Sequence, residues 1–309
     1  MKFNFDYIKH KNIIFAISLI IVVCGLVYGV VTGYKFDIDF KGGTRIQVDL
    51  NEEYQNSDVS KIVEDVSGLV PEIQTSSVGN HSVTITTETI SEEVSDNIVT
   101  ALNEKYTNMG EATVKNVQAS YGRDLLNSAI IAVIVSIILL LVYIAVRFKT
   151  LGYTAAISAI LALLFDVLFL FAVYGVFKFP INGTFVAVIL TIIGYSINDT
   201  IIVYDRIREN NKLITKSSDK KTVINDSINQ TMHRTIMTAF TTIAAIGVVL
   251  VFSLIYDQET LKQFSIPLVI GIAEGAFSSI FIASNLWYSI DNLLNKNKKN
   301  KDIKKAKKA

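Results

Sequence analysis

Cysteine is almost absent: Cys24 is the only one in 309 residues, so no disulfide framework holds this chain together. The three histidines, His10, His81 and His233, are scattered and give no metal-ligand spacing. No glycine-rich phosphate loop ending in Lys and Ser/Thr occurs, which argues against an ATP site and against an enzyme that hydrolyses nucleotides. Any energised process must then draw on an ion gradient or a partner ATPase. Charge is sparse, at 18% Asp, Glu, Lys and Arg with a net +1. The first apolar stretch has no small-residue cleavage site after Val31, so it reads as a span rather than a secretory signal. No cofactor or metal is expected.

What the chain does have is apolar residue in blocks. Half of it is hydrophobic, and six runs fall near 12–31, 128–146, 154–177, 184–204, 235–253 and 267–289. Each approaches the roughly 20 residues that cross a bilayer as a helix. The expected order is an N-terminal segment 1–11, a first span 12–31, a domain over 32–127, three spans within 128–204, a loop 205–234, two spans within 235–289 and a basic tail 290–309.

Lysine and arginine set the orientation of such a chain. The start carries Lys2, Lys9 and Lys11, and the second connection Arg147 and Lys149. The fourth connection carries Arg206, Arg208, Lys212, Lys216, Lys220, Lys221 and Arg234, and the tail eight lysines from Lys296 to Lys308. Together these make 20 of the 29 basic residues, all on one side in a six-span arrangement, whereas the short opposite connections contain only Lys178 and Lys262. Both termini are therefore expected to be cytoplasmic, in a multi-pass protein of the plasma membrane. Residues 32–124, expected outside, hold 16 acids against 7 bases, which disfavours nucleic acid or anionic lipid as a partner for them. The basic tail suits the anionic inner leaflet of a lipid bilayer, or simply a solvated anchor.

The segment between the first two spans is patterned. Arg45–Leu50 alternates as a strand does, and Asp58–Val70 puts Ile62, Val66 and Leu69 on one helical face. Glu72–Ser77 and Ser82–Thr87 read as strands joined through Gly79-Asn80. Ser91 caps a helix that Glu92 and Glu93 open and Ile98, Ala101, Leu102 and Lys105 continue, and Ala112–Ala119 is a last β-rich run. The order β-α-β-β-α-β is the ferredoxin-like one. The expected fold is thus a polytopic helical membrane protein with six transmembrane helices and one exterior α+β ferredoxin-like domain between helices 1 and 2.

Asp166 stands in the middle of an apolar run, with no other charge between Lys149 and Lys178. A carboxylate at the centre of a span costs about 2.5–3.5 kcal/mol on insertion scales, and such residues mark ion or substrate paths. Helical spacing puts Ala155, Ala159 and Ala162 on its face, the closely packing side. In the fourth span Ser196, Asp199, Thr200 and Arg206 share one stripe, with Asn198 and Asp205 on another face. In the fifth, Arg234, Thr238, Thr241 and Thr242 group together; in the sixth, Gly271, Glu274, Gly275, Ser278 and Asn285 do, with Gly271 and Gly275 as a small-xxx-small contact. Asp166 is the residue read from its surroundings as a titrating carboxyl. Ser196, Asn198, Thr241, Thr242, Gly271, Glu274, Gly275 and Ser278 are read as helix-packing and polar-stripe positions. Each has a plainer reading: Asp166 as a satisfied structural carboxyl, Arg206 and Arg234 as snorkelling anchors, and Glu274, placed nearer the outer surface, as a gate or a wetted polar site.

Several local motifs resemble the SecF family of the bacterial Sec protein-export system. Asp37-Ile38-Asp39-Phe40-Lys41-Gly42-Gly43-Thr44 is similar to that family's signature after the first span. Gly194-Tyr195-Ser196-Ile197-Asn198-Asp199-Thr200 with Asp205-Arg206-Ile207-Arg208-Glu209-Asn210 is similar to its most specific motif. The run from Ile228 through Arg234-Thr235 to Thr241-Thr242 is similar to its fifth-span entry, and Ser278-Ser279-Ile280-Phe281-Ile282-Ala283 to its sixth span. Departures are Phe165 where the family often has His, Ala239 where Ser is common, and Gly275-Ala276 for its Gly-Thr. The resemblance implies membership of the resistance-nodulation-division superfamily and pairing with SecD. It also implies association with the SecYEG channel, on which SecA acts from the cytoplasmic side, and help from the proton or sodium motive force in releasing unfolded preproteins outside. In that setting the resemblance implies that Asp166 is the proton carrier and that Asp199, Thr200 and Arg206 line its route.

Three rivals remain open at this point. A proton-coupled lipid or drug exporter of the same superfamily predicts twelve spans and larger exterior domains. An intramembrane aspartyl protease would use Asp166 and Asp199, but its Gly-x-Gly-Asp motif is missing, since the local sequence is Ser196-Ile197-Asn198-Asp199. A structural assembly factor would hold a carboxyl that never titrates.

Overall fold

The computed structural model describes residues 5–75, 81–212, 219–256 and 258–294. The expected Gly79-Asn80 turn, Ser76 and Ser77, Lys216 and the lysines of the tail lie outside the described residues.

Six described helices are long and apolar enough to cross a membrane: α1 (Tyr7–Thr32), α5 (Ala119–Arg147), α6 (Tyr153–Phe177), α7 (Gly183–Lys212), α8 (Lys220–Ile255), and α9 (Glu259–Ser278) with its continuation to Leu294. Several run past the expected apolar cores. Helix α5 starts at Ala119 rather than near 128, and α8 starts fifteen residues before Thr235, because polar turns at helix ends extend the hydrogen-bonded ladder beyond the lipid-soluble stretch. The continuation of α9 passes through a π-turn at Ser279–Ala283. Helices α6, α7 and α9 form the interior of the bundle, whereas α5 and α8 are largely exposed along their apolar stretches.

Between α1 and α5 lies a small α+β unit. Its elements are the short α2 (Ile38–Lys41), β1 (Gly43–Asp49), α3 (Asn56–Ser67), β2 (Glu72–Thr75), β3 (Ser82–Thr87), α4 (Glu92–Lys105) and β4 (Thr113–Val117). The strands form one antiparallel sheet in the order β2-β3-β1-β4. This is the ferredoxin-like arrangement that the element order announced. Its core is separate from that of the bundle and centres on Ile46, Val48, Val83, Ile85, Ile98 and Leu102. The face of α3 is turned slightly from the expected one. Val59 and Val63 point into the core with 0% exposure, and Ile62, Val66 and Leu69 border them, because the helix packs on α4 as well as on the sheet. Ser91 caps α4 as expected, accepting from the Val94 amide at 3.3 Å.

The glycine pair after α2 explains part of the Asp37–Thr44 motif. Gly42 has φ +79°, and a Cβ there would lie 2.7 Å from the Cα of Ala119, where α5 begins. Backbone meets backbone at that point, so only glycine fits. Around it the α+β unit is tied to the bundle. The Asp37 amide donates to the Ile181 carbonyl at 3.1 Å, and the Ile181 amide to the Lys35 carbonyl at 2.8 Å. Asp37 also pairs with Arg45, while Asp39 accepts from Lys115 Nζ at 2.7 Å and from the Gly183 amide at 3.1 Å.

Candidate functional site in the bundle interior

Asp166 is 1% exposed, and Ala155, Ala159 and Ala162 are buried on its face of α6, as the spacing predicted. The small side chains let α7 and α9 come close. Gly271 and Gly275 are where they do: a Cβ on Gly271 would overlap the side chain of Ile192, and one on Gly275 would sit 3.1 Å from Ser196 Cβ. That approach carries Ser196 to Asp166, and its hydroxyl donates to Oδ2 at 2.5 Å. The other oxygen, Oδ1, has no hydrogen-bond partner.

Glu274 stands elsewhere than expected. It is 8% exposed and interacts electrostatically with Asp166 across the α6–α9 contact, instead of standing near the outer surface. Position along a span does not reveal how far neighbouring helices are staggered, and the stagger of α9 brings Glu274 level with Asp166. Apart from Asp166, neither Glu274 oxygen has a hydrogen-bond partner among the described residues. Ser278, one turn on and fully buried, donates its hydroxyl to the Gly275 carbonyl at 3.2 Å beside Asp166.

One turn further along α7, Asp199 and Thr200 are buried beside Ser196, as their shared stripe implied. Both Asp199 oxygens lack a hydrogen-bond partner. Ser279 Oγ donates to the Ser196 carbonyl at 3.0 Å and stands 3.0 Å from Thr200 Oγ1. A hydroxyl has one proton, so Thr200 is the donor in the second contact. Tyr204 OH donates to the Ala283 carbonyl at 3.2 Å and lies 2.8 Å from Ser158 Oγ. The π-turn at Ser279–Ala283 thus faces a row of α7 hydroxyls, in keeping with the frequent siting of such turns at functional positions. Ser158 is itself fully buried in this row.

Other expected residues are not brought to this centre. Arg206 leaves the stripe for the helix end, where it binds Glu209 at 2.9 Å and Gln230. Arg234, read as an anchor, is exposed on α8 and makes no hydrogen bond to Asp199, which only its charge reaches. Asn198 and Thr241 are exposed, and the hydroxyls of Thr241 and Thr242 are spent on carbonyls of their own helix. Asp205 is held by Arg147 at 2.8 Å and Arg208 at 2.9 Å, away from the interior. The placement of Arg234 relative to Asp199 was hidden because α7 and α8 contact each other through tertiary packing that no spacing within one helix encodes.

The family profile described as "Protein export membrane protein SecD/SecF, C-terminal" matches residues 97–293. The protein translocase subunit SecF of Sebaldella termitidis is 32% identical over 301 residues, covering 96% of this chain and 95% of that protein. The SecF of Alicyclobacillus acidocaldarius is 32% identical, covering 93% of each. The SecDF of Bacillus subtilis is 31% identical over 92% of this chain, but this chain spans only 38% of that protein. Among solved structures, the crystal structure of SecDF from Thermus thermophilus superposes with a TM-score of 0.79 at 28% identity, over 93% of this chain and 39% of that one.

Proposed function

The chain belongs to the SecD/SecF family of protein-export membrane proteins, and from that premise we propose that it is the SecF-type subunit of a bacterial Sec translocase. The proposed partner is SecD. Relatives in which both parts form one chain support this, since this chain spans about two fifths of their length. The exposed face of α7 and α8, with Asn198, Arg234 and Thr241, supports it too, because polar groups facing lipid are costly and a second subunit would cover them. An exporter that works alone as a single chain has no such need.

In this reading both termini and the basic ends of the helices face the cytoplasm, and the α+β unit faces outward, in the plasma membrane. SecA drives the preprotein through SecYEG from inside. The outward unit then acts on the emerging unfolded chain, using the proton or sodium motive force. Asp166 is the ion-carrying carboxyl. Asp199 and Thr200 line its route, and Arg234 takes the place first given to Arg206.

The observation that carries this is a carboxyl at mid-span that is 1% exposed, has one hydroxyl donor to Oδ2 and has no cation bound to it among the described residues. A purely structural need there would be met by Asn or Ser at lower cost. The test is export into sealed vesicles with and without an imposed gradient, for the wild type and Asp166→Asn. The variant should insert and associate with SecD normally but lose the gradient-stimulated part of export. A wild-type rate under full gradient would show the carboxyl to be structural.

A further inference from the structure

A groove of about 610 Å³ lies on the outside of the bundle between α1, α6 and α9. Small-molecule sites span about 300–1,000 Å³ and combine apolar walls with a few polar groups. The walls here are Ile17 and Ile21 on α1, Phe165 and Phe169 on α6, and Ile270 and Phe277 on α9. Ile17, Ile21 and Phe277 are exposed, so the groove opens toward the hydrocarbon of the bilayer. Its polar lining is Ser18 and Glu274. Glu274 is buried, and among the described residues the one titratable group that acts on it is Asp166, to which it is hydrogen-bonded. No lining residue comes from α7 or α8, so a second subunit on the exposed α7–α8 face leaves the groove open. A lipid does not complete this site. Its acyl chain brings no group for a carboxyl, and its headgroup stays outside the hydrocarbon core, whereas Glu274 is level with mid-span Asp166.

We propose that this groove is a binding site, entered from the lipid, for a lipophilic amine whose nitrogen meets Glu274 and whose apolar body lies among Phe165, Phe169 and Phe277. Charge complementarity selects the amine. A carboxylate facing hydrocarbon is costly unless a cation accompanies it. The amine arrives uncharged, because an isolated cation meets the same cost in the hydrocarbon. Its lone pair then takes a proton from the two hydrogen-bonded carboxyls. One O–H bond breaks, one N–H bond forms, and the total charge of the groove is unchanged. The phenyl rings favour the ammonium once it has formed, since the face of an aromatic ring attracts a cation. A quaternary ammonium has no uncharged form in which to enter, and a neutral alcohol cannot form the ion pair.

The site is independent of the reading of Asp166 as an ion carrier, and its test involves no export. The probe is N-methyldodecylamine carrying a diazirine in its chain. It is added to the full-length chain in phosphatidylcholine nanodiscs, and labelled peptides are identified by mass spectrometry after illumination. The wild type should show saturable labelling of α1, α6 and α9 at the groove. Unlabelled N-methyldodecylamine should compete, whereas dodecanol and dodecyltrimethylammonium should not. Glu274→Gln should weaken the saturable labelling about tenfold or more. Ala273→Phe fills the groove from an exposed position and leaves both carboxyls in place, so it should abolish the labelling. Ala132→Phe, at an exposed position of α5, should label as the wild type does. Elution profiles and circular dichroism identical to wild type show that the variants are folded. Labelling that does not saturate, labelling undiminished in Glu274→Gln or Ala273→Phe, or equal competition by dodecanol would make the groove a furrow for lipid chains and overturn the proposal.

Discussion

Ser196 on α7 donates its hydroxyl proton to Asp166 Oδ2 on α6 at 2.5 Å, and the closeness of Gly275 on α9 holds it there. Removing the donor leaves a buried acceptor unsatisfied, which costs about 1–3 kcal/mol. Ser196→Ala should therefore lower the unfolding midpoint in detergent. It should also reduce gradient-stimulated export, but less than Asp166→Asn does, since the carboxyl remains. Unchanged stability together with unchanged export would show that this contact matters to neither.

Helices α1 and α6 cross through two glycines. A Cβ added to Gly175 would lie 2.7 Å from the Cα of Gly29, and backbone cannot move aside as a flexible side chain can. Gly175→Ala should cost about 1–3 kcal/mol as overpacking. Gly33→Ala has open space around it, but its φ of +77° strains any side chain, so it should cost about 1 kcal/mol. Thermal unfolding of both variants, with cysteine cross-linking of α1 to α6, separates the two effects, because only Gly175→Ala should reduce the cross-link.

Asp39 ties the α+β unit to the bundle. Burial pushes its carboxyl up, but the hydrogen bonds from Lys115 and the Gly183 amide, with the nearby Arg45 charge, outweigh burial and hold it below the ordinary carboxylate range. A depressed value in the folded state means that the contact contributes fully above the unfolded value, near pH 4, and is lost as pH falls below it. Hydrogen exchange at residues 178–184 should therefore be slow at pH 5–8. Asp39→Asn should speed it at pH 7 and cost about 1 kcal/mol, because Lys115 is half exposed and its share is screened. Wild-type protection in this variant at pH 7 would remove Asp39 from the docking contact.

Arg206 and Arg234 should separate in function. Arg206 is engaged with Glu209 and Gln230 at a helix end, whereas the charge of Arg234 reaches buried Asp199. Arg206→Ala should leave gradient-stimulated export within about twofold of wild type, which is about 0.4 kcal/mol. Arg234→Ala should abolish most of it and Arg234→Lys should restore a part. The opposite ranking would return the role to Arg206.

Orientation is tested with single cysteines at the exposed positions Glu104 and Glu209, in a chain whose Cys24 is replaced by Ser. An impermeant thiol reagent applied to intact cells should label position 104 and not 209. Labelling of both, or of 209 alone, contradicts the orientation given by the basic residues.

Much of this protein was legible in its sequence because bilayers and helices impose strong periodicity. Runs of some 20 apolar residues give the six helices, and alternation followed by the Ser91 cap gives the β-α-β-β-α-β unit. Asp166 announced itself by being the one charge in such a run, and its alanine face followed from 3.6-residue spacing. Spacing within one helix says nothing of how neighbouring helices are staggered or rotated against each other. Only the tertiary structure set Glu274 beside Asp166, drew Ser196 onto it through Gly275, turned Arg206 outward, and brought the charge of Arg234 to bear on Asp199. Those relations depend on interhelical packing, where a single glycine decides which side chains meet.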